Sequence, residues 1–317
     1  MLSLPESLRI ATLRVESLAY TLVVVPLVAL FPARIAYGIA RMRGDVVYRL
    51  DVRTRRSFTR NLAELRGDLT PKQLDMVARD SFRIKSCETI DSMRLLGDGK
   101  ALIRLLEIRG TDTLRTALAG GKGAIVFSAH FGSVRNGFSA LGALGFPVTI
   151  VGRWSSTDDA ERPIFSRTLH RLRHGRPVEY HFCRPTIVNK PGRSGTGIEV
   201  LNSLRNNEIV GILLDTKVQT GEFSRPFQVR FLGRQVRMAL GAAAIAQFTG
   251  SPLMMMLVRR MADFRHQTAI ITPPVSTSGS PAEVFARCLA MLEENMLNFP
   301  EHYIWAEVEG HAEVATS

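Results

Sequence analysis

The sequence predicts an α/β protein with an open, mostly parallel sheet flanked by helices and a hydrophobic, helical extension at the N-terminus. Short apolar runs typical of buried strands lie at residues 124–127, 148–151, 209–214, 253–258 and 268–271. Stretches with helical spacing of apolar residues alternate with these runs, at residues 164–173, 197–204, 238–248 and 281–298. Such alternation indicates a sheet with helices on both of its faces.

Residues 53–106 precede the first of these strands and have a helical pattern. Phe58 and Leu62 recur at helical spacing. Thr70 followed by Pro71 is typical of the start of a second helix. The strands are therefore expected to follow a helical region.

An uncharged apolar run at residues 17–33 is the first indication of a membrane. Seventeen residues are at the lower limit for crossing a bilayer, so the run fits an anchor that spans the membrane or lies in its interface. A buried core helix is the alternative. Three arginines follow the run and would hold that end at the anionic cytoplasmic leaflet: Arg34, Arg41 and Arg43. We expect an anchor segment at 1–44 and one domain at 45–317.

The charge balance indicates a polyanionic partner. The chain has 41 Lys and Arg against 29 Asp and Glu, a formal net charge of +12. Nucleic acid, an anionic membrane and an acidic carrier protein all fit this excess. The basic residues form no block, which favours a phospholipid surface over nucleic acid. The cysteines Cys87, Cys183 and Cys288 are far apart, so neither a disulfide framework nor a metal site is expected.

A histidine follows the strand predicted at 124–127, within the segment Ser128-Ala129-His130-Phe131-Gly132-Ser133. In an open α/β sheet, ligands bind outside the carboxyl ends of the strands. His130 is thus placed to act as a general base. The alternative is a histidine that caps a helix or fills a polar pocket.

Eight short motifs along the chain resemble those of one known family. In chain order they are Arg56 with Asn61-Leu62, residues 127–132, Val151-Gly152-Arg153, residues 171–175, residues 211–215, residues 230–233, residues 249–252 with Arg259 and Arg260, and residues 299–305. In this order and spacing they resemble the bacterial lipid A late acyltransferases, the lauroyl and myristoyl transferases of the lysophospholipid acyltransferase superfamily.

The resemblance implies transfer of a fatty-acyl group from acyl-carrier protein or acyl-CoA to a hydroxyl or amine of a lipid or glycolipid. It implies no cofactor, no metal and no nucleic acid, and it places the chain at the cytoplasmic face of a bacterial inner membrane. Anionic lipids, the acyl donor and other lipid-biosynthesis enzymes are the implied partners. His130 would be the base. The expected substrate-binding residues are Gly132, Ser133, Arg135, Arg153, Arg171, Arg173 and Arg230, with the N–H groups of Gly132 or Ser133 as donors to an oxyanion.

One position departs from the family pattern. The family has Asp or Glu five residues after the histidine, where this chain has Arg135, and an arginine cannot accept the Nδ1 proton. Three interpretations stay open. Asp215 or Glu222 orients His130 instead, or a backbone carbonyl does so in a slower enzyme, or the chain has lost catalysis and serves as a lipid-binding or assembly subunit.

Overall fold

A computed structural model describes residues 31–97, 103–153, 183–184, 187–189, 195–216, 227–303 and 305. Its helices are α1 (Ala33–Leu50), α2 (Val52–Leu65), α3 (Pro71–Gly97), α4 (Thr111–Ala119), α5 (Val134–Ala143), α6 (Thr196–Arg205), α7 (Gly241–Thr249) and α8 (Pro281–Asn298). Its strands are β1 (Leu106–Arg109), β2 (Ala124–Ser128), β3 (Val148–Arg153), β4 (Ile187–Asn189), β5 (Ile209–Leu213), β6 (Phe227–Phe231), β7 (Arg234–Met238), β8 (Leu253–Arg260) and β9 (Gln267–Ile271).

Seven strands form one mixed sheet in the order β1-β9-β8-β2-β5-β3-β4. The five strands from β8 to β4 are parallel to their neighbours, whereas β9 is antiparallel to β8, and β1 is parallel to β9. β6 and β7 form a separate antiparallel hairpin. The predicted α/β class, with a mostly parallel sheet and flanking helices, is confirmed.

The sheet is covered on both faces, and β2 shows this most clearly. Ile125 and Phe127 belong to one hydrophobic core, while Ala124 and Val126 belong to the other. Because side chains alternate between the faces of a strand, a continuous apolar run is what a strand buried on both faces requires. The methionines of β8 follow the same rule and are core residues, with Met255 on one face and its neighbours on the other.

The first three helices form a layer beside the sheet. Thr70 and Gln73 cap α3 reciprocally, since the backbone N–H of each residue donates to the side chain of the other. Helix α1 packs closely on α3. A Cβ added at Gly44 would lie 2.6 Å from the Cα of Arg83, so only glycine fits at that crossing.

The strands at 124–127, 148–151, 209–214, 253–258 and 268–271 are confirmed within one to two residues at each end, as are the helices at 197–204 and 281–298. The helix predicted from Met238 is wrong at its start, because Met238 ends β7 opposite Phe227 and the helix begins at Gly241. The helix predicted at 164–173 lies outside the described residues.

Within the described part of the chain, no helix combines the length and the apolar character needed to cross a membrane. Residues 17–30 of the predicted anchor lie outside it. Helix α1 runs through the expected boundary at 44–45, so the anchor and domain division stays a prediction.

Candidate active site

His130 and Asp215 come together because two strands that are distant in the sequence are neighbours in the sheet. β2 and β5 are parallel, with Ser128 opposite Leu213. The N–H of Leu214 continues this pairing by donating to the carbonyl of Ser128 at 2.9 Å. His130 and Asp215 each follow the last residue of their strand by two positions. They therefore meet at the carboxyl edge of the sheet.

The two side chains form a hydrogen-bonded pair. Oδ1 of Asp215 lies 3.0 Å from Nδ1 of His130, and Oδ2 accepts the backbone N–H of His130 at 2.9 Å. The side chain of Asp215 is 2% exposed and that of His130 is 40% exposed. The carboxylate thus lies behind the ring, and Nε2 is on the ring edge turned away from it. This is the contact that a substitute acid requires, while the catalytic role of the pair stays a prediction.

The turn after His130 is fixed by backbone contacts with the C-terminal segment. Phe131 bridges to Tyr303, and the N–H of Gly132 donates to the carbonyl of His302 at 2.7 Å. Gly132 has φ of +53°, and a Cβ there would lie 2.0 Å from the carbonyl oxygen of Val258. Only glycine fits this close approach. The N–H of Gly132 is already engaged, which corrects the expectation that it donates to an oxyanion, although Gly132 does line the pocket.

Ser133 precedes helix α5 but does not cap it with its side chain. Its hydroxyl instead donates to the buried carboxylate of Asp91 at 3.3 Å. Within the described structure, the N–H groups of Ser133 and Val134 donate to no protein acceptor. Both residues line the same pocket as His130. A helix N-terminus with such N–H groups stabilises negative charge, so this end of α5 is suited to an oxyanion.

A buried ion pair between Asp91 and Arg260 contacts Ser133 at the start of α5. Asp91 and Arg260 have side chains that are each 1% exposed, and they are in direct contact. Asp91 also accepts hydrogen bonds from Tyr37, Asn136 and Gln267. Burial of the Arg260 guanidinium is the largest single influence and opposes its charge, but the attraction of Asp91 together with that of neighbouring groups raises the pKa of Arg260 above its ordinary value. The network joins α1, α3 and α5 to β8 and β9.

The pocket in front of His130 has a volume of about 90 Å³. Ser81, Ile84, Lys85 and Glu88 of α3 contribute to its lining, and the start of α5 and the segment around Glu301 contribute the rest of the polar lining. Lys85 and Glu88 form an ion pair at 3.3 Å. The lining combines charges of both signs with the apolar side chains of Ile84, Val134 and Leu213, so it can accommodate a polar group.

Glu301 is coupled to a second histidine. Its Oε1 lies 3.0 Å from Nδ1 of His302, whose Nε2 accepts the N–H of Arg260 at 2.9 Å. Burial is the largest single influence and opposes ionisation of Glu301, but the interactions with His302, a backbone N–H and Arg259 together lower the pKa of Glu301 below its ordinary value. The ring of His302 stacks on that of Phe131, with centroids 5.4 Å apart. This pair therefore supports the turn that carries His130.

The predicted arginines differ in their placement. Arg135 is exposed on the first turn of α5 and lines the pocket. Arg230 is exposed on β6 in the separate hairpin and is not among the residues that line the pocket. Arg153 ends β3, but its side chain is outside the described part of the structure. Arg171, Arg173 and Glu222 also lie outside it, and their predicted roles stay untested.

The sequence did not lead us to the α3 residues that line the pocket or to the buried Asp91. Ser81, Lys85 and Glu88 are spaced by four and three residues, a polar stripe on a helix that a search for helical faces could have found. Asp91 carries no such signal, because its donors come from four other elements, α1, α5 with its N-cap, β8 and β9. Groups of three or more His, Cys, Asp and Glu side chains suited to a metal do not occur among the residues that the structure describes.

The fold and this site together define a class: open α/β proteins in which a histidine backed by a buried carboxylate lies in a pocket at the strand ends. Within that class, the chain belongs to the bacterial lipid A biosynthesis acyltransferase family, whose sequence profile matches residues 9–307. The resemblance seen in the motifs is thereby confirmed, and the matched range includes both His130 and Asp215. No curated protein matches the chain.

Proposed function

We propose that this chain transfers a fatty-acyl group from the thioester of acyl-carrier protein or acyl-CoA to a hydroxyl or amine of a membrane lipid or glycolipid. Membership of the family supports acyl transfer. The observation that carries the assignment of residues is the 3.0 Å contact between Nδ1 of His130 and the buried carboxylate of Asp215.

In the proposed reaction, Asp215 accepts a hydrogen bond from the N–H group at Nδ1 of His130. This contact keeps the ring proton on Nδ1 and leaves the lone pair of Nε2 for the acceptor. Nε2 removes the proton of the acceptor hydroxyl as its oxygen attacks the thioester carbonyl carbon. The N–H groups of Ser133 and Val134 stabilise the oxyanion that forms. When the carbon–sulfur bond breaks, the imidazolium returns its proton to the leaving thiolate. Asp215 stabilises the charge on the ring in between.

The position of Arg135 is explained by the same geometry. A carboxylate five residues after the histidine is unnecessary where Asp215 already occupies the Nδ1 side of the ring. Arg135 lies at the pocket, where a guanidinium is suited to bind an anionic group of the acceptor or of the carrier. Arg153, Arg171, Arg173 and Arg230 are retained as candidates for the same role, with Glu222 as the alternative acid.

The binding-subunit hypothesis depended on the missing acid at position 135. The contact with Asp215 removes that reason, so the enzyme is the function that we propose. Association with the cytoplasmic face of a bacterial inner membrane, through residues 17–33, is part of the proposal. A chain that lacks residues 1–32 keeps α1 whole and should shift toward the soluble fraction; an unchanged membrane fraction in high salt would exclude this anchor.

Replacement of the base tests the reaction. His130→Ala is expected to lower the transfer rate by at least about a hundredfold, the scale of a positioned general base. His266→Ala is the matched control, because His266 also contacts a carboxylate, Asp263 at 2.5 Å, but on an exposed surface. Mass spectrometry of total lipids from deletion and overexpressing cells would identify the acceptor. If neither wild type nor variant transfers an acyl group to any lipid tested, the chain is a binding subunit.

A further inference from the structure

Helix α1 has apolar side chains on two opposite faces. One face is buried against α3 and includes Ala36, Tyr37, Ala40, Gly44 and Tyr48. The other face is exposed, and we call it the α1 stripe: Ile35 (49% exposed), Ile39 (52%), Met42 (70%), Val46 (50%) and Leu50 (77%). Successive members are three or four residues apart, which places them on one side of a helix. The residues that the structure describes leave this apolar surface largely exposed.

The exposed charged residues of α1 are all arginines. All four arginines of α1 are exposed: Arg34, Arg41, Arg43 and Arg49. With 3.6 residues per turn, Arg43 and Arg49 lie on the two borders of the stripe, while Arg34 and Arg41 lie farther round the helix. The one acid of the helix, Asp45, is directed inward and hydrogen bonds to Arg79 at 2.8 Å and Arg83 at 2.7 Å. The exposed surface of α1 is thus apolar in the middle and cationic at its edges.

Helix α1, which carries the stripe, lies close to the edge of the sheet that carries the active site. The guanidinium of Arg41 is 4.8 Å from the ring centroid of Phe264, in the turn that follows the carboxyl end of β8. β8 is parallel to β2, so this turn is at the same edge as His130. Helix α3 packs against α1 and also contributes Lys85 and Glu88 to the pocket. The stripe is on the side of α1 that faces away from α3, and the pocket residues are on the side of α3 that faces away from α1, so two helices, each about 10–12 Å across, lie between them.

We propose that the α1 stripe lies in the interface of an anionic phospholipid bilayer, with the axis of α1 parallel to the membrane. An apolar face bordered by arginines is the pattern of interfacial helices, in which the apolar side chains enter the acyl boundary and the cations bind anionic headgroups. In the sequence, the uncharged run at residues 17–33 directly precedes and overlaps the start of α1. The inference rests on the proposed lipid acceptor, but it is tested without turnover.

Fluorescent labels on the full-length chain test this placement. Cys87, Cys183 and Cys288 are buried, so a thiol introduced on the surface takes up the label selectively. Ile39→Cys and Val46→Cys report on the stripe. Ile198→Cys is the matched control, because Ile198 is 65% exposed on α6. This helix packs on β4 and β5, and β4 is the outermost strand at the other end of the strand order from β1.

With vesicles of phosphatidylglycerol and phosphatidylcholine, the emission of the labels at positions 39 and 46 should shift to the blue. Nitroxide lipids should quench these labels at least about twofold more than the label at position 198, since an interfacial helix lies about 5–10 Å deep. Joint replacement Arg34→Gln, Arg41→Gln and Arg49→Gln should weaken binding by at least about tenfold, because each cation near an anionic surface contributes roughly fivefold.

Equal quenching at positions 39, 46 and 198 on vesicle-bound protein would overturn the proposal. An emission shift that follows protein concentration without vesicles would also overturn it, since it would assign the stripe to a second copy of the chain. Unchanged binding of the triple arginine variant would remove the anionic lipid as the partner. If the labels at positions 39 and 46 are quenched but the chain transfers no acyl group, the proposed enzyme function is refuted and the proposed membrane contact of the α1 stripe is supported.

Discussion

Replacement of Asp215 by asparagine separates the shape of the pair from its chemistry. An asparagine fits the same space, and its amide oxygen can still accept the backbone N–H of His130, a bond of 2.9 Å in the native chain. Its NH₂ group then faces Nδ1, where the carboxylate oxygen lies at 3.0 Å. An NH₂ group donates to Nδ1, so the ring proton moves to Nε2. The nitrogen that faces the acceptor then cannot take a proton.

The size of the effect follows from the lost proton acceptor. General-base assistance contributes about 10²–10⁴-fold, and the wrong tautomer in a comparable buried pair costs about 10⁴-fold. We therefore expect Asp215→Asn to lower the transfer rate by about 10²–10⁴-fold, which corresponds to roughly 3–5 kcal/mol of activation free energy. The melting temperature should change little because the fold of the strand ends is preserved.

The assay is acyl transfer from a radiolabelled thioester to the lipid acceptor, measured beside thermal unfolding of each variant. Asp263→Asn is the control, since Asp263 contacts His266 at 2.5 Å on an exposed surface, and its rate should equal that of wild type. A rate for Asp215→Asn within about threefold of wild type would refute the orienting role of Asp215.

Three further variants test other parts of the structure. Arg135→Asp should not raise the rate, because Asp215 already orients the base and an acid at position 135 replaces the guanidinium proposed to bind an anionic group; a tenfold rise in the same assay would contradict this. Gly132→Ala should lower the free energy of unfolding, measured in urea, by about 2 kcal/mol or more, because its Cβ would lie 2.0 Å from a carbonyl oxygen. Gly145→Ala is the control, since Gly145 is also at positive φ but has nothing within 4 Å, and it should be less destabilised. Equal destabilisation of the two variants would exclude the clash. Hydrogen bonds from Arg79 and Arg83 hold the pKa of Asp45 well below 3.8, so Asp45→Asn should destabilise the chain at pH 7. The difference in unfolding free energy between wild type and this variant should shrink as pH falls below about 4, where Asp45 of the unfolded chain becomes protonated. A difference independent of pH in urea melts would exclude that charge effect.

The motifs that identified the family serve the fold as much as the chemistry. The side-chain amide of Asn61 donates to the carbonyl of Trp305 at 2.7 Å and so joins the first and last motifs. Ser251 donates to the carbonyl of Lys122 at 2.6 Å and fixes the entry to β8 beside β2. Resemblance at such positions reports shared architecture, which is why the family could be recognised although the acid position of its catalytic motif holds an arginine.

Local composition determined most of the secondary structure. β2 consists of apolar residues ended by Ser128, and no helical period fits such a short run. Ser280, Pro281 and Glu283 form a capping box with proline in the first turn, so the start of α8 was readable from the sequence. Met238 was placed in a helix because an apolar residue fits either period, and only its pairing with Phe227 shows that it belongs to a strand.

The sequence by itself determined the α/β class, the family and the position of His130 at the end of a buried strand. Tertiary structure alone decided which acid lies behind that histidine. Asp215 is 85 residues away along the chain, and its approach depends on β5 lying directly beside β2 rather than at another place in the sheet. Strand order is set by how the helices cover both faces and by which edges pair, and these are properties of the packed whole. The same holds for Asp91, whose donors come from four other elements that only folding brings together.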